Sequence, residues 1–62
     1  MTHQQAIVAI QTYIYDYLKN DKKLIADNEE LINECAVYVC RGAFSVENAA
    51  GYVVEFGKQA GE

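Results

Sequence analysis

Few side chains in this 62-residue sequence could do chemistry: one histidine, His3, two cysteines, Cys35 and Cys40, one serine, Ser45, and carboxylates led by Glu29, Glu30 and Glu34. A nucleophilic triad needs a base beside the serine or a thiol. His3 lies near the start of the chain, where the expectation is a solvated ring with no nucleophile beside it. Paired carboxylates work as acid and base only in a pocket that drives their pKa values apart. Here Glu29, Glu30 and Glu34 are explained by the start of a helix, whose dipole favours them. On a helix, cysteines five apart point about 140° away from each other, which suits no disulfide. Without a CxxC or HxxxH spacing they make no metal site either, and both read as buried, reduced thiols. Gly42, Gly51, Gly57 and Gly61 are scattered, and no Gly-Lys-Ser/Thr follows any of them, so no phosphate loop is present. The expectation is a non-enzymatic protein with no cofactor and no metal.

Charge narrows the choice of partner. Nine acidic against five basic residues give a net charge of -4, which argues against a surface built for nucleic-acid phosphates and favours a partner with a basic surface. Hydrophobic residues make up 52% of the chain, the composition of a packed domain rather than of a disordered tail. A chain of this size removes only about 60% of its unfolded surface from water, so a large enclosed active site is not expected. No apolar run approaches the ~18 residues of a membrane span. Met1-Thr2-His3-Gln4-Gln5 has no basic secretory start, and the expected location is the cytoplasm.

The elements that must position these residues are helical by period. Ile7, Ile10, Ile14 and Tyr17 draw one apolar stripe along a helix from Thr2, its cap, to about Asn20. Asn20-Asp21-Lys22-Lys23 reads as a turn, followed by the anchoring pair Leu24 and Ile25. Asp27 and Glu30 have the spacing of a capping box and predict a second helix that stops at Arg41 and Gly42. Its expected buried face is Leu31, Cys35, Tyr38 and Val39, widened by Ile32 and Ala36. Ser45 then caps a third helix running to about Gln59, with Phe44 folded back on Ala49 and with Val46, Ala49, Val53 and Phe56 inward. Ala49, Ala50 and Gly51 are small enough to admit a neighbouring backbone. Gly51 and Gly57 weaken this helix, and Tyr52 to Phe56 also suits a strand, as does Ala36 to Cys40. The expected fold is therefore an all-α, compact three-helix domain over residues 1–62, with two helices plus a C-terminal β-hairpin as the alternative. The last residues, Gln59 to Glu62, are the candidate tail.

The tyrosines carry the functional expectation. Tyr13, Tyr15 and Tyr17 cannot share one stripe, so the first helix is apolar around most of its circumference. Val8 and Tyr15, one heptad apart, fall on a line separate from the core stripe. The expected contact surface is Val8, Tyr13 and Tyr15 with the acids Asp16, Glu30 and Glu34, because tyrosine is prominent among residues that dominate binding energy. This predicts a small acidic protein that binds another protein as a regulator or inhibitor. Acids spaced along helices also suit mimicry of nucleic-acid phosphates. In general character alone, size, acidity and lack of catalytic apparatus resemble small phage-encoded inhibitors, with no shared motif and no residue carried over. A homodimer is also expected, and the alternatives are a structural homo-oligomer and a nucleic-acid-binding module using Lys19, Lys22, Lys23 and Arg41.

Overall fold

The computed structural model describes residues 1–59, so the end of the expected tail, residues 60–62, lies outside the described residues. The described residues form four α-helices: α1 His3–Tyr13, α2 Lys22–Asp27, α3 Glu29–Cys40 and α4 Val46–Phe56, with a π-turn at Ile14–Leu18 continuing α1. No strand occurs among the described residues, which removes the β-hairpin alternative. The radius of gyration of 10.3 Å is close to the ~10.6 Å expected of a compact chain of this length.

Local sequence explains most of the boundaries. The Thr2 hydroxyl accepts from the Gln5 amide at 3.1 Å while the Gln5 side chain accepts from the Thr2 amide at 2.8 Å, a complete capping box. Ser45 caps α4 by accepting from the Asn48 amide at 3.0 Å. The stop of α3 is a Schellman motif: the Ala43 amide donates to the Tyr38 carbonyl at 2.9 Å and the Gly42 amide to the Val39 carbonyl at 3.1 Å. That turn requires the left-handed φ of +81° that Gly42 adopts.

Two boundaries differ from the sequence reading. Asp27 caps nothing: it is the last residue of α2, and the carboxylate that does cap is Asp21, accepting from the amides of Lys23 and Leu24 at 3.0 and 3.2 Å. The reason is Leu24, which is buried in the core. Burying it winds the expected turn into a six-residue helix and makes Asn28 the junction with α3. At the other end, α4 stops at Phe56 rather than at Gln59.

The π-turn accounts for a third difference. Its closing bond runs from the Lys19 amide to the Ile14 carbonyl at 2.7 Å, five residues back. A wider turn takes more residues per revolution, so Tyr17 lags behind the Ile10–Ile14 stripe and Leu18 comes round nearest to it. Tyr17, expected in the core, is 73% exposed.

The core itself is built of small and aliphatic side chains. Ala6, Ile10, Ile14, Leu24, Ile32, Cys35, Ala36, Ala49, Ala50 and Val53 are buried, and no aromatic ring is among them. The alanines let α1, α3 and α4 approach closely, and that spacing leaves no room for a ring. Gly51 takes no part in this approach, because a Cβ there would face open space. Tyr38 and Phe56, both expected inward, are instead exposed. Cys35 is buried as expected, whereas Cys40, five residues on, is exposed; both thiols are free.

Candidate protein contact face

Excluded from the core, the rings gather on the outer side of α3 and α4. Tyr38 stacks on Phe44 at 5.5 Å between centroids, Phe44 on Tyr52 at 6.2 Å, and Tyr52 on Phe56 at 4.8 Å. The Schellman motif is the cause: by reversing the chain after Cys40 it swings Phe44 back onto Tyr38 and delivers it to the first turns of α4. Leu31, Glu34, Cys35, Tyr38, Phe44 and Tyr52 line a hollow of about 270 Å³ in this face. That is below the ~300–1,000 Å³ of small-molecule sites and suits an inserted side chain.

Carboxylates border the rings. Glu34 stands in the wall of the hollow, and Glu47 and Glu55 line an adjoining depression with Tyr13, Leu18, Gly51, Tyr52 and Phe56. Asp27, Glu29, Glu30 and Glu34 lie together around the α2–α3 junction beside Phe56, with Lys58 as the basic residue among them. On the floor of the hollow, burial pushes the Cys35 thiol up from its ordinary pKa, with the Glu34 carboxylate adding to the rise. That thiol is a poor nucleophile.

An amide clamp holds one end of the face. Asn28 is buried, and its side-chain nitrogen donates to the carbonyls of Leu24 at 2.7 Å and Lys58 at 2.8 Å, while its oxygen accepts from the Lys58 amide at 2.7 Å. The segment after α4 is thereby tied to the α2–α3 junction. Gly57 is required at this crossing, since a Cβ there would fall within 3.0 Å of both the Val53 carbonyl oxygen and the Asn28 amide.

The residues singled out from sequence are divided by the fold. Glu30 and Glu34 border the aromatic face, and Tyr13 lines its adjoining depression while stacking on Tyr17 at 4.9 Å. Tyr15 and Asp16 belong to a different hollow, with Gln11, Thr12, Lys22 and Ile25, where the Lys22 ammonium sits 5.9 Å from the centre of the Tyr15 ring. Val8 is 48% exposed and lines neither hollow. Tyr38, Phe44, Tyr52 and Phe56 are not legible as one face from the sequence, because the 3.6-residue period puts Tyr38 and Phe56 on the core sides of their helices. The signal that could have found them is the chain reversal at Arg41-Gly42 with an aromatic residue, Phe44, two positions beyond it.

His3 remains exposed, with its Nε2 paired to Asn33 Oδ1 at 2.5 Å, a tie between α1 and α3. Ser45 is engaged as a cap. Among the described residues no group of three His, Cys, Asp or Glu side chains is placed to hold a metal ion, and no helix is long and apolar enough to cross a membrane. No protein-family model matches the chain, and neither a curated protein nor a solved structure matches it significantly.

Proposed function

We propose that this protein is a non-enzymatic regulator or inhibitor that acts by binding another protein through the aromatic face of α3 and α4. The observation that carries the reading is the unbroken row Tyr38, Phe44, Tyr52 and Phe56, held outside a core made of alanine and aliphatic residues. Aromatic rings bury some 150–250 Å² each when covered and dominate interface energetics. A contiguous apolar patch bordered by charge is the anatomy of an interaction site. The border is acidic, so the partner brings lysine or arginine.

Charge also favours a different protein over a second copy. A two-fold pairing of this face would set Glu34, Glu47 and Glu55 of one copy near the same residues of the other, in chains that each carry -4. Phosphate mimicry fits less well, because the acids flank rings that a phosphate-binding surface would leave unmatched. The two free thiols fit a reducing compartment such as the cytoplasm.

The test is capture of a partner from native lysate by the wild-type chain and by a Tyr52→Gln/Phe56→Gln variant shown to fold. A saturable complex that weakens with salt and is lost in the variant supports the reading. Equal capture by both proteins, or a free dimer that needs the same two rings, overturns it.

A further inference from the structure

We infer that the occupant of this face is an amphipathic α-helix of the partner, apolar on the side that meets the rings and bearing Lys or Arg on its flanks; the inference rests on the protein-binding reading above.

The first argument is shape. α3 and α4 both pack against α1, and Ile32 and Ala36 of α3 and Ala49, Ala50 and Val53 of α4 are buried in the shared core. On the other side Leu31 and Tyr38 of α3 face Tyr52 of α4 across the hollow, with Phe44 between them. Two adjacent helices covered on one side only present ridges and a groove that a further helix fills. The ring-to-ring steps of 5.5, 6.2 and 4.8 Å lie close to the ~5.4 Å pitch of an α-helix. Apolar side chains one turn apart on the partner, at i, i+4 and i+7, would then each meet a successive ring. An extended peptide fits less well: its same-face side chains recur about every 6.6–6.8 Å, and no strand among the described residues offers an edge for main-chain pairing.

The second argument is charge. Glu34 on the α3 side and Glu47 and Glu55 on the α4 side flank the row of rings, so basic residues on both shoulders of an inserted helix find carboxylates. Bidentate guanidinium–carboxylate contacts at that rim would also set its direction and register.

The experiment selects a display library of amphipathic helical peptides, with randomised apolar and flanking positions, on the intact protein and counter-selects on the folded Tyr52→Gln/Phe56→Gln variant. Expected are peptides with apolar residues at helical spacing flanked by Lys or Arg, helical when bound, and at least ~30-fold weaker on the variant. A Glu34→Lys/Glu55→Lys protein, which leaves the rings in place, should select acidic flanks instead. A parallel selection from unpatterned peptides separates the outcomes. If extended or Pro-rich sequences take the face, the helical inference falls while the protein-binding face stands. If neither library yields a peptide sensitive to Tyr52 and Phe56, both fall.

Discussion

The outer faces of α1 and of the α3–α4 pair both expose apolar side chains, yet only one of them forms a surface. Val8 of α1 is exposed, and Tyr15, in the π-turn that continues α1, is half-buried with Lys22 over its ring. On α3–α4, Tyr38, Phe44, Tyr52 and Phe56 touch in series, and carboxylates border them. The difference teaches that an excess of apolar residues around one helix need not form a contiguous patch. Contiguity is created here between helices, by a loop.

The largest expected effect concerns the floor of that face. Cys35 is 2% exposed and Cys40 is exposed, so a thiol reagent should modify Cys40 at once and Cys35 only through opening of the fold, slower on the order of 10³-fold. Comparable rates would show that the hollow between α3 and α4 is open to its base. The raised thiol pKa has a sign that can be checked. Above the ordinary value of 9.0 the unfolded thiol ionises while the buried one stays neutral, so stability conferred by Cys35 is full below pH 9 and falls as pH rises. A Cys35→Ala control should lose that alkaline slope.

Next in size is the clamp that fixes the Phe56 end of the face. Asn28→Ala removes three hydrogen bonds around a buried amide and should lower stability by about 2–3 kcal/mol in denaturant unfolding. A loss under ~0.5 kcal/mol would mean that water replaces the amide and that α4 ends without help from α2.

The direct contrast between the two faces comes third. Tyr52→Gln with Phe56→Gln should weaken partner binding by at least ~2 kcal/mol with little change in melting, whereas Val8→Gln with Tyr15→Gln should cost binding less than ~0.5 kcal/mol. The reverse result, read by titration calorimetry, would return the contact surface to α1.

The smallest expected effect separates two aspartates. Asp21→Ala should cost about 1 kcal/mol as a lost cap, and Asp27→Ala only a few tenths. Equal losses in thermal unfolding would revive the capping box at Asp27.

Three of the local signals were legible in the sequence. Thr2, Ser45 and Gly42 mark helix ends because cap hydrogen bonds and left-handed φ depend on residues within one turn. Ile10, Ile14, Ile32, Cys35, Ala49 and Val53 read as core from their 3.6-residue period and are buried. The choice between Asp21 and Asp27 was not legible, since both are sound caps and only the burial of Leu24 decides between them. Nor was the π-turn, which preserves the contacts of Ile14 and turns Tyr17 away without any residue-type signature.

The sequence by itself determined a mainly helical chain, the helix ends at Thr2, Gly42 and Ser45, most of an aliphatic core stripe and the acidity, because propensity, period and charge are properties of residues and their near neighbours. Only the tertiary structure decided which apolar side chains stay outside. Close approach of α1, α3 and α4 through alanines fills the interior before any ring can enter, and the Gly42 reversal then collects the excluded rings of α3, the loop and α4 into one face. Period tells which residues share a side of one helix, but which sides meet, and how much room lies between them, is set by all the helices together.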